Sequence, residues 1–137
     1  MGQIYIGRWA SFTSVATEDE EWLVGEQPEA DLQLHQGELS LTEMLALVEQ
    51  AAVVISGVGW ALPAAICYQT PVFIVQGGCG AHNAPHIVTD PEMDLSRVGW
   101  AQPDDYCMCA SMDHDCSKYI SGFNDKFKGW LHDIVLK

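Results

Sequence analysis

The chain has 137 residues, and 6 Lys plus Arg against 19 Asp plus Glu leave a net charge of −13 with histidine neutral. With 48% apolar residues and five tryptophans, it is too hydrophobic for an acidic disordered tail, and its length suits a single compact domain over residues 1–137 rather than two. So acidic a surface repels phosphate backbones and anionic lipid, which disfavours a nucleic-acid binder or a membrane-surface protein and favours a basic partner or none.

The charge is unevenly spread. Residues 1–49 carry one base and ten acids, Gln50 to Thr89 carries no Asp, Glu, Lys or Arg, and residues 90–137 carry five bases and nine acids. The uncharged middle third is therefore the core candidate. It is not a membrane span, because Gly57, Gly59, Pro63, Gln69, Pro71, Gln76 and Gly77 interrupt it before about 20 apolar residues accumulate. No charged segment followed by an apolar stretch opens the chain, so the expectation is a cytoplasmic protein with reduced thiols.

In chain order, Ile4-Tyr5-Ile6 reads as a short strand, and Thr17 followed by Glu18 to Glu21 reads as a capped helical turn whose acids suit the positive end of the helix dipole. Residues 1–33 form a divergent N-terminal part. Asp31 to His35 alternates with period two, as a half-buried strand does. Ser40-Leu41-Thr42-Glu43 has the spacing of a capping box, and Leu41, Met44, Leu45, Leu47 and Val48 supply an apolar stripe, which predicts a helix from Leu41 to Gln50. Val53-Val54-Ile55 is a β-branched run, expected to be a strand buried on both faces and ending at Gly57-Val58-Gly59. Trp60 to Tyr68 predicts a covering helix with Pro63 in its first turn. Val72 to Val75 is a second strand, followed by Gln76-Gly77-Gly78-Cys79-Gly80. Strand, helix and strand in this order make a βαβ unit. Beyond it, His82 to Pro91 reads as loop, Leu95 to Trp100 as containing a short strand, and residues 107–116 as a cysteine-rich loop. Phe123, Phe127, Trp130, Leu131 and Ile134 recur at helical spacing, which predicts a helix over 122–137. The fold class is α/β, a Rossmann-like parallel sheet with flanking helices.

Two glycine turns at the carboxyl ends of the paired strands are the first site candidates: Ser56, Gly57 and Gly59, then Gln76, Gly77 and Gly78. Ligands gather there in open α/β sheets, since glycine lets the backbone approach a phosphate. The same glycines also suit plain strand-to-helix turns, and neither stretch is a complete dinucleotide fingerprint or P-loop. His82 and Asn83 follow the second turn, where an imidazole can donate to an oxyanion; His86 lies near. Cys107, Cys109, His114 and Cys116 place three thiols and an imidazole within one short loop. These are ligands for a structural zinc ion, or else buried or free thiols. No cofactor beyond that ion is required, and no catalytic residue is identified.

Gly37 to Val48, Val53-Val54-Ile55-Ser56, Ala64-Ala65 through Thr70-Pro71-Val72, and Gly77-Gly78, in this order and spacing, resemble the second half of the heptosyltransferase-like glycosyltransferases of family nine. Cys107-Met108-Cys109 with Cys116 resembles a cysteine cluster near the end of many members. The resemblance covers residues 34–121 and implies one half of a B-type glycosyltransferase, the C-terminal half that binds a nucleotide-sugar, with the acceptor and catalytic base held by a partner domain, another protein chain or a homodimer. Members carry Asp-Ser-Gly followed by His at the first glycine turn. Here Ser56-Gly57-Val58-Gly59-Trp60 lacks both the acid and the imidazole. Its small size and these departures suit a phage-encoded chain. The alternative is a non-catalytic acidic interaction protein that occupies a basic groove of a host protein complex.

Overall fold

The computed structural model describes residues 11–16 and 29–135. The strand expected at Ile4 to Ile6 and the helical turn expected at Thr17 to Leu23 lie outside them. The chain divides into two compact units, Met1–Leu45 and Ala46–Lys137.

In the first unit, β1 (Thr13–Val15) and β2 (Leu32–Leu34) pair in parallel, with Thr13 opposite Leu32 and Val15 opposite Leu34. The Asp31 carboxylate accepts the Phe12 N–H at 2.7 Å, and His35 Nε2 lies 2.8 Å from Ser14 Oγ, so side chains hold both ends of this short ladder. Leu32 is 51% exposed, which makes β2 more open than its alternation predicts.

Helix α1 runs from Leu41 to Gln50, as the capping box predicts. Its N-terminus is closed reciprocally: the Glu43 carboxylate accepts from the Ser40 N–H at 2.8 Å and from its hydroxyl at 2.7 Å, while the Glu43 N–H points to Ser40 Oγ at 3.3 Å. These bonds favour the carboxylate and hold Glu43 below the ordinary glutamate range.

The second unit is a three-stranded parallel sheet in chain order, β3 (Val54–Ser56), β4 (Val72–Val75) and β5 (Val98–Ala101). Val54 pairs with Val72 and Val72 with Val98, so these three share one face, and Ile55, Phe73 and Gly99 share the other. On the first face, helix α2 (Ala61–Tyr68) brings Leu62 and Ala65 onto Val72 and Ile74, joined by Val48 from α1 and by Val88. Thr70 ties this layer together, its buried hydroxyl donating to the Val48 carbonyl at 2.9 Å. On the second face lies α5 (Phe123–Val135), whose Phe127 and Trp130 rings meet Phe73 at 5.1 Å and 5.2 Å. Phe73 and Phe127 are 1% and 0% exposed. The α/β class with a parallel sheet flanked by helices is thus present, and β4 matches its predicted bounds.

Two expectations change. Ile55 is 49% exposed: among the described residues β3 pairs with β4 alone and stands at the sheet edge, and Val54 is only partly buried, so the β-branched run is not buried on both faces. The segment from His82 to Pro91 is not simple loop. It holds two single-turn helices, α3 (Gly80–Asn83) and α4 (Pro85–Val88), with Pro85 opening the latter. Among the described residues no helix is long and apolar enough to cross a membrane.

Candidate metal centre

Between β5 and α5 the chain runs from Gln102 to Gly122 without helix or strand. Irregular segments of this length inside a compact unit need a reason to stay ordered. The base of the loop is closed by Asp104, whose N–H donates to the Tyr119 carbonyl at 2.9 Å and whose carboxylate accepts from the Ser121 N–H and hydroxyl at 3.2 Å and 3.0 Å. Those bonds hold the Asp104 carboxyl below the usual aspartate range, with Lys126 at 3.7 Å adding a smaller pull.

Inside the loop, Cys107, Cys109, His114 and Cys116 converge, with one donor atom from each lying within 4.8 Å of every other. Cys109 Sγ and Cys116 Sγ are 3.7 Å apart, and Cys107 Sγ lies 3.4 Å from His114 Nδ1. A disulfide would bring two sulfurs to about 2.05 Å. Tetrahedral zinc, with bonds of about 2.3 Å to sulfur and about 2.0 Å to nitrogen, sets two sulfurs about 3.8 Å apart and a sulfur and nitrogen about 3.5 Å apart. These two separations match the edges of such a tetrahedron. All four residues are partly buried, and the cluster can hold a metal ion.

The thiols are not equivalent. Backbone N–H groups of Cys109 and then Cys79 draw Cys107 down to about 6. Cys116 is pushed up to about 11, chiefly by its hydrogen bond with Cys109. A metal ion would displace the remaining protons, since thiolates are the ligands.

The second glycine turn is built against this cluster. Gly78 has φ +101°, and a Cβ there would lie 3.0 Å from both Cys107 Sγ and His114 Cε1, so a left-handed conformation and a close approach both call for glycine. Cys79 follows with φ 55°. This turn aims the Cys79 N–H at Cys107 Sγ, 3.2 Å away, and buries its own Sγ 3.4 Å from the Ser111 carbonyl. Next, the Gly80 N–H donates to the Cys107 carbonyl at 2.9 Å. His82 Nε2 donates to the Ala110 carbonyl at 2.9 Å; a carbonyl can only accept, so that nitrogen carries the proton. Asn83 Nδ2 reaches the Gly78 carbonyl at 3.4 Å, and the Asn83 carbonyl accepts from the side-chain amide of buried Gln76 at 2.5 Å.

The candidate phosphate residues therefore divide. Gln76, Gly78, His82 and Asn83 join each other and the cysteine loop. Ser56, Gly57, Gly59 and Gly77 line the carboxyl end of β3 and β4 in more open surroundings: a Cβ on Gly59 or Gly77 would meet nothing within 4 Å, and one on Gly57 would be 3.9 Å from the Val75 carbonyl. Trp60, at the N-cap of α2, makes no side-chain cap to the first-turn N–H groups. Cys79 is the contributor that sequence spacing misses. It stands 28 residues before Cys107 and acts through its backbone, so its one legible signal is the Gly-Gly-Cys-Gly run. No protein-family model, curated protein or solved structure matches the chain.

Proposed function

We propose that residues 46–137 form a nucleotide-sugar-binding unit of the glycosyltransferase type, with a structural zinc ion at Cys107, Cys109, His114 and Cys116. The observation that carries the reading is the pair of glycine turns at the carboxyl ends of adjacent parallel strands, Ser56 to Gly59 after β3 and Gln76 to Gly78 after β4. That edge of an open parallel sheet is where backbone N–H groups meet phosphate oxygens. The sequence resemblance to the donor half of family-nine transferases points the same way.

Three thiols and an imidazole would supply all four ligands of a tetrahedral zinc ion, the donor count of a structural rather than a catalytic site. A zinc ion held there would supply folding energy to the loop, and reduced thiols suit a cytoplasmic chain. In transfer, an acceptor hydroxyl would attack the anomeric carbon while backbone N–H groups at the turns stabilise the departing diphosphate. Ser56 to Trp60 lacks the acid and imidazole with which family members grip the donor phosphates, and by the resemblance the base would come from a partner domain or a second copy.

A second reading rests on charge. No Lys or Arg lies between Gln50 and Thr89, so the turns carry no cation of their own to pair with a diphosphate, and an acidic protein that docks on a basic partner accommodates this. Thermal-shift and calorimetric titration of the metal-loaded chain with uridine-, adenosine- and guanosine-diphosphate sugars decides between them. The first reading expects saturable stabilisation by at least one. No response to any of them at millimolar concentration refutes it. Metal analysis of protein purified without chelator expects one zinc per chain.

A further inference from the structure

We infer that the metal centre and the turn from Gln76 to Asn83 form one ordering unit, so that metal binding to the cysteine loop sets the conformation of the turn and, reciprocally, the turn sets how tightly the metal is held. Four links carry this: Cys79 N–H to Cys107 Sγ at 3.2 Å, Gly80 N–H to the Cys107 carbonyl at 2.9 Å, His82 to the Ala110 carbonyl at 2.9 Å, and Cys79 Sγ to the Ser111 carbonyl at 3.4 Å. Every one joins the turn to the stretch that carries the ligands. A Cβ on Gly78 would lie 3.0 Å from both Cys107 Sγ and His114 Cε1, so the turn backbone passes directly beside two of the four ligands.

Four polar side chains drawn together have little to hold them without a cation, and their N–H and carbonyl partners on the turn then lose a fixed target. With the metal in place the Cys107 thiolate is a fixed anion, and the hydrogen bond from Cys79 becomes a charge-assisted one. The Cys79 backbone is thus a positioning group for a metal ligand. Because coupling between two sites is reciprocal, any ligand that requires the ordered turn must bind more tightly to the metal-loaded chain. This last step rests on the nucleotide-sugar reading; the coupling of turn and metal does not.

Amide hydrogen exchange of the full chain, zinc-loaded, then stripped with a strong chelator, then reloaded, tests the coupling. On stripping, exchange at Cys79 and Gly80 is expected to rise at least about tenfold while the β4 amides stay protected, and to recover on reloading. Unchanged exchange at Cys79 and Gly80 in protein shown to have lost its zinc overturns the inference. If stripping unfolds the whole unit, the reciprocal arm decides. His82→Ala removes one link without touching a donor atom, and zinc release from it to a chromogenic chelator is expected several-fold faster than from the parent; an equal rate overturns the inference. A third arm titrates uridine diphosphate-glucose and adenosine diphosphate-glucose with and without zinc. Equal affinity in both states refutes the linkage and leaves the nucleotide-sugar reading standing. Zinc-dependent turn protection with no binding of either sugar nucleotide keeps the coupling and removes that reading.

Discussion

Gly99→Ala adds one methyl group at the centre of β5, and the structure sets its cost. The new carbon would lie 2.5 Å from Phe73 Cδ2 and 2.7 Å and 2.8 Å from Trp130 Cδ1 and Cγ. Non-bonded carbons settle about 3.5–4.0 Å apart, so both rings must retreat by about 1 Å. Phe73, 1% exposed, has no free side: it already stands edge-on to Phe127 at 5.1 Å and to Phe123 at 5.9 Å, and Phe127 in turn lies 5.8 Å from the partly buried Trp130. Overpacking of this kind costs about 1–3 kcal/mol. Against it, alanine restricts the unfolded chain and returns about 0.4–1 kcal/mol. The net is destabilisation of about 0–2.5 kcal/mol, centred near 1 kcal/mol, or a fall of about 4–8 °C in Tm per kcal/mol for a unit of this size. Thermal unfolding followed by circular dichroism in the aromatic region reads it. Trp130→Leu in the same chain should relieve the clash, so the double variant should be more stable than the sum of the two single effects. A raised midpoint for Gly99→Ala, or strict additivity with Trp130→Leu, refutes the packing described for this face.

Phe127→Ala empties a site that is 0% exposed and should cost about 3–5 kcal/mol in urea unfolding. Thr70→Val keeps the shape but removes the 2.9 Å donor to the Val48 carbonyl, which retains only the 3.4 Å bond from the Ala51 N–H, so about 0.5–1.5 kcal/mol should be lost; a neutral result would mean that this bond is not part of the core layer. Ser40→Ala should weaken α1 by about 1 kcal/mol, read by amide exchange over Met44 to Leu47. Because the folded-state pKa of Glu43 is lowered, its capping contribution is complete above the ordinary glutamate pKa and fades as pH falls through the lowered value. The Ser40 amide resonance followed against pH should therefore titrate below the ordinary glutamate range, and a midpoint at or above that range refutes the carboxylate contact.

Features written in local pattern were legible in the sequence. The capping box and apolar stripe place α1 at Leu41–Gln50, and the run Val72–Val75 is a strand with no residue to spare. What escaped depends on the surroundings. Gly80–Asn83 and Pro85–Val88 are each one turn long, too short for a 3.6-residue period to show. Ile55 looks as buried as Val54, and nothing local tells that β3 has a neighbour on one side alone. At the site, the four donor residues were visible because they lie within ten positions. The tie from Cys79 was not, because a backbone N–H leaves no mark on residue identity. The glycine turn after β4 reads as a phosphate loop by position, while Gly78 also answers a different need, close passage beneath a thiol and an imidazole.

The sheet of the second unit is ordered as it is synthesised, β3 then β4 then β5. Each new strand can add to an edge already present, and no strand has to be inserted between two others. The first face is served by α2, which emerges between β3 and β4. The second face waits for α5, the last element of the unit, so Phe73 stays bare on a nascent chain until Phe123, Phe127 and Trp130 have been made. A chain stopped between Ala101 and Phe123 would have all three strands of this sheet with one apolar side open, the kind of exposed surface that makes incomplete chains aggregation-prone. Closure of that face thus waits on a helix that lies far downstream of Phe73 in the chain.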